Sequence, residues 1–518
     1  MGLDNELGYV VGETNPSEFY FVTDESKHPS RWEYVVVKSK ESVYGNEVEV
    51  DVVAQIDTIT SLSLALSEKL SFDAARKIIE AELVDRKMIA RARVLGFVHE
   101  GEILQPRRAI YPGKKVYRAS REILERFYSY PEEEGLFVGH LITRPDVPVS
   151  ISVRGFRRHL AILAQTGAGK SYTAGVLLEE LLKKGATVVV LDPHADYVFI
   201  SRRRDGKRFA DRVSVFRTPE STGRYSESQI GSIIPYEVKF SDLSVDEIAR
   251  VCGINERWTN IMNALQGAIQ KLEKREEGYT LKDLMDELEK KEDVNSKKAL
   301  NYVRKLSRIR VFGHATTGVE KLLKPKHIAV IDLSGLDDVV MDYIAFRILS
   351  GVCEAVESQR YEYPVFVFIE EAHKFIPNRE KTLSKSVIKR IAAEGRKFGI
   401  FLVLITQRPY KIDADALSQC NSQIIMRITN PEDQKAVRKS SERMSESLLS
   451  DLPGLNVGEA IIVGEITRAP VMVKIRQRET MEGGADIDLV KKLRDATDEA
   501  EIQFRESKDI GGIVEWYE

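Results

Sequence analysis

The chain has 518 residues, 43% hydrophobic and 30% charged, with a formal net charge of −3: a globular composition long enough for two to four domains, with no whole-protein basic field. A polyanion such as DNA therefore has to be met by a local basic surface or by a pore lined with a few Lys and Arg. Cys252, Cys353 and Cys420 are far apart, which argues against a disulfide framework or zinc module; with no run as long as a membrane span and no signal-like organisation in the first twenty residues, a cytoplasmic protein in a reducing compartment is expected.

Residues 1–134 read mainly as strands. In residues 47–53, Val48, Val50 and Val52 alternate with Glu47, Glu49 and Asp51, the pattern of a half-exposed antiparallel strand. Residues 18–22, 34–37 and 92–98 are further strands, and a helical interruption falls at about 62–83. Short strands at this spacing predict a small barrel without a catalytic constellation, a scaffold or docking module.

From residue 135 long apolar runs alternate with helical stretches, which predicts an α/β domain over 135–475 built on a parallel sheet. Its first landmark is H-L-A-I-L-A-Q-T-G-A-G-K-S, from His159 to Ser171. A buried strand runs into a glycine-containing turn and then a helix start at Lys170, the context of a nucleotide phosphate loop. Gln165, Thr166, Gly167, Ala168, Gly169, Lys170, Ser171 and Tyr172 form the expected nucleotide cup. Lys170 supplies charge for the β- and γ-phosphates of ATP, and Ser171 a hydroxyl ligand for Mg²⁺. Ala164 stands where such loops usually open with glycine, which requires a negative φ there.

Asp192 and His194 follow the next strand, 187–191, and can orient water or the carboxylates. Arg202, Arg203, Arg204, Lys207 and Arg208 form a local basic cluster, either a solvated face or a DNA contact. Residues 241–312 read as a helical insertion in which Trp258, Ile261, Met262, Leu265, Ile269 and Leu272 share one face, expected to be core. Strands at 327–333 and 365–369 follow, and the latter ends in Glu370-Glu371. In an ATPase the first carboxylate would hold the Mg²⁺ shell and the second would polarise the attacking water. The strand at 400–405 ends in Thr406-Gln407, with Gln407 placed either to touch the γ-phosphate or lytic water or to order a loop. Three arginines compete for the transition-state charge: Arg396 before that strand, Arg427 at the end of the strand at 423–428, and Arg158 before the phosphate-loop strand. A hairpin of 460–463 and 471–475 closes the domain, and residues 476–518 form a charged C-terminal tail, solvated or docked on a neighbouring subunit.

The ordered set A-Q-T-G-A-G-K-S, V-V-L-D-P-H-A-D-Y, I-A-V-I-D-L-S-G-L, F-I-E-E-A-H and I-T-Q-R-P, behind a strand-rich domain opening G-Y-V-V-G-E, resembles HerA, an archaeal hexameric DNA translocase/helicase family of the FtsK-HerA branch of RecA-like ATPases. The resemblance covers residues 8–476. It implies a RecA-like P-loop ATPase core with a helical insertion, preceded by a HAS-barrel-like domain. It also implies a homo-hexamer around double-stranded DNA and a NurA-type nuclease partner met through the barrel in DNA-end resection and recombinational repair. The family often carries Gly-Glu where this chain has Ala195-Asp196. An ATP-regulated assembly platform and a conjugation or export motor of the same superfamily are the alternative functions, and the lack of a membrane segment weighs against the latter.

Overall fold

The computed structural model describes residues 5–500 except 28, 208, 210, 211, 256, 442, 443, 484–488 and 491. The N-terminal strands are β1 (Glu6–Asn15), β2 (Glu18–Thr23), β3 (Tyr34–Val43), β4 (Asn46–Leu62), β5 (Lys87–His99), β6 (Glu102–Leu104) and β7 (Lys115–Arg118). They pair in the order β2-β1-β7-β3-β4-β5-β6, and β2 also pairs antiparallel with β5. The result is a closed six-stranded antiparallel barrel with β6 as an outer addition to β5. Tyr44 and Gly45, at φ +49° and +87°, make the two-residue turn that pins the β3–β4 register from Val43↔Asn46 to Tyr34↔Gln55. The alternation seen in sequence fills the interior with Phe19, Phe21, Val35, Val37, Val52, Ala54 and Ile56. The helical interruption between β4 and β5 is α1 (Phe72–Glu80), which buries none of its side chains. A second helix that the sequence pattern did not reveal, α2 (Arg121–Tyr128), buries Leu124, Phe127 and Tyr128 under the next domain.

The larger sheet has twelve strands. In chain order they are β8 (Gly135–Leu141), β9 (Pro148–Ser152), β10 (Leu160–Leu163), β11 (Thr187–Asp192), β12 (Val213–Arg217), β13 (Ile233–Pro235), then β16 (His327–Asp332), β17 (Val365–Ile369), β18 (Ile400–Thr406), β19 (Ser422–Ile425), β20 (Glu459–Val463) and β21 (Val471–Ile475). The omitted pair, β14 (Val238–Lys239) and β15 (Phe312–Gly313), forms a separate parallel clasp. Spatial order is β13-β12-β16-β11-β17-β18-β10-β19-β20-β21-β8-β9. The run from β13 to β19 is parallel and the last four strands add antiparallel. Strands buried on both faces explain the unbroken apolar runs: Val188 and Val190 point into one core, Val189 and Leu191 into the other.

The short strands β12 and β13, the latter at the sheet edge, escaped the sequence reading, and the expected strand at 423–428 is only β19, ending at Ile425. Three helices flank the central strands, α3 (Lys170–Lys183) after β10, the helix Asp338–Glu357 between β16 and β17, and the helix Leu383–Phe398 between β17 and β18. The helical insertion holds Val245–Cys252, Thr259–Leu272, Leu281–Glu289 and Val294–Val303, and the β14–β15 clasp ties its two ends together.

Barrel and sheet are joined at Asp451, whose carboxylate accepts from Arg31 and from the Trp32 indole at 3.0 Å, and at Arg93, which donates to Ser445 at 2.7 Å. Beyond β21 the chain turns back over α3. Arg476 pairs with Glu179 and Glu180, both at 2.9 Å, and the Thr480 hydroxyl donates to Glu179 at 2.6 Å. Arg476, Arg478 and Thr480 are thereby enclosed by their own chain, so this first stretch of the charged tail is not a solvated arm. The terminal Trp516 and Tyr517 lie outside the described residues.

Candidate active site

The parallel strands β11, β17, β18 and β10 lie side by side and end on the same edge of the sheet, where α/β folds gather their ligands. The phosphate loop leaves β10 there. Ala164 keeps a negative φ and donates its N–H to the Thr406 carbonyl at 3.2 Å, so alanine serves at the position where glycine is usual. Gly167 and Gly169 take φ +75° and +105°, conformations that side-chain-bearing residues rarely adopt, and a Cβ on Gly169 would stand 3.1 Å from the Met426 methyl. Thr166 and Gly167 form the exposed lip of the cup. The α3 N-terminus has no side-chain cap, which leaves its first N–H groups for an anion.

Lys170 reaches across to the β17 carboxylates. Its ammonium pairs with Glu370 and lies 3.2 Å from Glu371 Oε1. Burial disfavours the charge on Lys170, but the two carboxylates outweigh it and hold the pKa above the usual lysine value. Glu370 is fully buried. Burial raises its pKa, partly countered by Lys170, and its second oxygen accepts from the Tyr197 hydroxyl at 2.6 Å. Glu371 differs in each respect. It sits in the left-handed region at φ +48°, and although burial opposes its charge, His373 and Lys170 hold its pKa at about 2. Its Oε2 lies 3.2 Å from His373 Nδ1 but accepts no hydrogen bond among the described residues. Glu370 has both oxygens hydrogen-bonded, whereas Glu371 Oε2 has only the His373 ring beside it.

Around this pair the structure gathers Ser171, whose hydroxyl donates to Asp196 at 2.8 Å, and Gln407, whose amide oxygen accepts from the Thr166 hydroxyl. Gln407 is thus tied to the phosphate loop itself. Thr406 supports the turn by accepting from the Arg408 N–H at 3.0 Å, and lies 3.1 Å from His373 Nδ1. Gln165 holds the loop from the other side, accepting from Thr429 N and Oγ1 at 3.1 and 2.9 Å, and Tyr172 accepts from the Arg478 N–H at 2.8 Å.

Asp192 is fully buried and organises its loop by accepting the N–H groups of His194, Asp196 and Tyr197. Burial, then the Asp196 charge, pushes its pKa well up. His194 is exposed and makes no side-chain contact with the carboxylates. Its neighbours Asp196 and Tyr197, and His373 on the other loop, make the contacts instead. The E-E-x-H spacing could have flagged His373. Nothing local flags Tyr197, whose partner is 173 residues away.

Among the described residues no group of three or more His, Cys, Asp or Glu side chains is arranged to hold a metal ion unaided. Ser171, Asp196 and Glu370 offer the one or two oxygen contacts that Mg²⁺ takes when phosphate and water complete its octahedron, so the site fits that ion.

The three arginines separate. Arg427 lies beside the loop: its carbonyl accepts from Gln165 N at 3.0 Å, and its Nε is buried without a hydrogen-bond partner. Arg158 and Arg396 sit at the opposite end of the strands, next to His159, whose Nε2 lies 3.1 Å from the Ala392 carbonyl. Arg396 is exposed, and Arg158 is 3.7 Å from Glu465. A seven-residue strand, Ile400–Thr406, separates that end from the cleft, roughly 20 Å at about 3.3 Å per residue. Two members of the basic cluster are engaged by acids of their own chain: Arg203 lies 3.2 Å from Asp205 and 3.6 Å from Glu479, and Arg204 lies 2.9 Å from Glu482, while Arg202 donates to the Ser228 carbonyl. Arg208 is outside the described residues.

Residues 136–352 match the family model "Helicase HerA, central domain". A probable helicase of Methanocaldococcus jannaschii is 30% identical, with 94% of each chain covered. The DNA double-strand break repair helicase HerA of Pyrococcus furiosus is 30% identical over 93% of this chain and 94% of its own length. Among solved structures, VirB4 of Thermoanaerobacter pseudethanolicus aligns with a TM-score of 0.48 at 16% identity, covering 66% of this chain and 96% of that one. No described helix is long and apolar enough to cross a membrane.

Proposed function

Because the chain belongs to the HerA helicase family, we propose that it is an ATP-driven double-stranded DNA translocase/helicase, working as a homo-hexamer with a nuclease in DNA-end resection and recombinational repair. The observation that carries the chemistry is the unequal carboxylate pair on Lys170. In the cleft Lys170 is shared by Glu370 and Glu371. A bound triphosphate competes for that ammonium, and the carboxylates, losing their cation, become stronger bases. Glu371, with Oε2 beside the His373 ring, orients the attacking water and accepts its proton, while Glu370 stays fixed by Tyr197. Residues 165–172 hold the phosphates, and Gln407, released from Thr166, turns to the γ-phosphate or the water. Ser171, with Asp196 and Glu370 behind it, would hold Mg²⁺, which would supply charge neutralisation at the phosphates.

Arg396 and Arg158 are too far from their own phosphate loop to serve it, which supports action on a neighbouring subunit's nucleotide and hence a ring. Arg427 is the arginine placed to serve its own loop. The partner nuclease is assigned to the barrel, where Leu62, Leu64, Phe72, Ile79 and Leu83 are exposed together around α1.

ATP turnover with and without duplex DNA at fixed salt tests the motor: stimulation by duplex is expected, and none would favour a platform whose hydrolysis only switches conformation. Arg396→Ala protein should bind ATP without hydrolysing it. Mixing it with Lys170→Ala protein should restore part of the activity, because some interfaces then pair an intact loop with an intact arginine. No recovery in mixtures shown to exchange subunits would move the role to Arg158.

A further inference from the structure

The stripe that sequence assigned to the core of the helical insertion leaves it at one end. Leu265, Ile269 and Leu272 are buried, but Trp258 is 42% exposed and lies over Tyr302, ring centroids 5.6 Å apart. The two rings wall a groove of about 730 Å³ between the start of the helix Thr259–Leu272 and the helix Val294–Val303 with the turn that follows it. Lys298, Asn301, Tyr302 and Lys305 line it at helical spacing, and Arg257 faces them beside Trp258.

The charge in this groove is one-sided. Its lining holds three cations and no acid, and none of Arg257, Lys298 and Lys305 has a carboxylate within 4 Å among the described residues. Some cations elsewhere on the same bundle are neutralised, Lys271 and Lys290 by Glu287 at 3.1 and 3.3 Å and Arg275 by Asp283 at 2.7 Å, and others are not; the groove differs in gathering three beside an exposed indole. Lys305 instead stands 4.7 Å from the Tyr302 ring centre. The exposed Trp258 ring, three cations without a carboxylate partner and the amide of Asn301 together suit a ligand that joins a planar ring to a phosphate. A nucleobase with its backbone is that ligand, and the open groove admits a continuous strand.

We propose that this groove binds single-stranded DNA, an unpaired base stacking on Trp258 while Arg257, Lys298 and Lys305 hold the flanking phosphates. The proposal rests on the reading of the protein as a DNA motor and adds a contact outside the nucleotide cleft, for a strand freed or frayed near the motor.

The test is fluorescence anisotropy of a labelled oligo-dT with full-length protein at several salt concentrations. Trp258→Ala should weaken binding about ten-fold, the loss expected for one stacked base, while Trp258→Phe keeps most of the affinity. The Lys298→Glu/Lys305→Glu double variant should also bind weakly and show a shallower salt dependence. Turnover of ATP without DNA should stay at the wild-type level in all three, which verifies folding. Wild-type oligo-dT binding by both Trp258→Ala and the double charge reversal would overturn the proposal, as would wild-type protein that binds no oligo-dT. Displacement of the oligonucleotide by free dTMP at comparable concentration would also overturn it, marking a mononucleotide site. Loss of duplex-stimulated turnover is a separate readout: a wild-type protein that holds oligo-dT in the groove but is not stimulated by duplex breaks the motor reading and leaves the groove standing.

Discussion

In the barrel, buried or partly buried carboxylates meet one cation each across neighbouring strands, Asp57 with Arg91 and Glu33 with Arg118, whereas in the cleft one ammonium faces two carboxylates at once. The barrel pairs are one cation to one carboxylate and hold strands in register, although Arg91 Nε is buried without a hydrogen-bond partner among the described residues. The cleft pair is over-supplied with negative charge and leaves Glu371 Oε2 without a hydrogen bond. The strands differ too: the outer halves of barrel strands alternate between core and solvent, as residues 38–43 of β3 do, while the strands that end at the cleft are buried on both faces throughout. A rigid, doubly covered sheet can hold an incomplete ion cluster in place because its strand ends have nowhere to relax. The polar residues of the barrel fasten it, and those of the cleft stay available to a ligand.

Removing Lys170 breaks the contrast most severely. Lys170→Ala should lower ATP turnover about 10³-fold, since its charge matters most as the phosphate bond breaks. It also strips the cation from a buried pair, at a cost of about 3 kcal/mol, with the fold and ring retained. Without Lys170 both carboxyls shift upward from their present values, Glu370 already raised by burial and Glu371 now at about 2. An acid whose pKa is higher folded than unfolded loses stability as pH rises, so the penalty should grow from pH 5 to pH 8. Denaturant titrations at both pH values check this; a pH-independent penalty would mean the carboxylates find another cation.

Next comes the asymmetry between the glutamates. Glu371→Gln should slow hydrolysis by about 10² to 10⁴-fold while still binding ATP, because the amide keeps the size but cannot accept the proton. Glu370→Gln should damage nucleotide and Mg²⁺ binding more than chemistry. Single-turnover rates beside nucleotide-binding curves separate the two, and the reverse pattern would exchange the roles.

The cleft was legible where function is local. The glycine turn, the lysine-serine pair and the two glutamates each sit in a few consecutive residues at a strand end, and period-two and unbroken apolar runs separated barrel from sheet. What could not be read depends on residues distant in sequence. Tyr197 reaches Glu370, Asp196 takes the Ser171 hydroxyl where His194 seemed the more reactive neighbour, and Arg476 looks solvated until Glu179 and Glu180, about 300 residues earlier, enclose it. Strands of three to five residues such as β12 and β13 carry too few alternations to stand out. Trp258 continues a helical stripe by spacing alone, and only the packing of the neighbouring helix decides that the stripe ends before it.

The joint between the two regions offers a smaller effect. Asp451→Ala leaves the Trp32 indole without its acceptor and Arg31 without its partner, which should cost roughly 1 to 3 kcal/mol, discounted toward the low end because Arg31 is partly exposed. Turnover without DNA should remain near wild type, because the cleft shares no residue with this joint. If turnover fell together with stability, barrel and cleft would be one cooperative unit and their contrast would be only geometric.

The smallest expected effect lies within the cleft's own scaffold. Ala195 is held at φ +58° between His194 and Asp196, in the region where a Cβ costs about 1 kcal/mol or more. The loop keeps that shape because Asp192 accepts three of its N–H groups, which places Asp196 on Ser171. Glycine removes the strain but gives the unfolded chain more freedom, worth about 0.5 to 1 kcal/mol in the other direction. Ala195→Gly should therefore stabilise by only about 0.5 kcal/mol, and Ala195→Val, with a branched Cβ at the same φ, should destabilise clearly. Denaturation midpoints of the two variants, with the slope unchanged, measure this. A destabilising glycine would show that the methyl group's packing outweighs its strain, and that the loop is set by burial rather than by the Asp192 carboxylate.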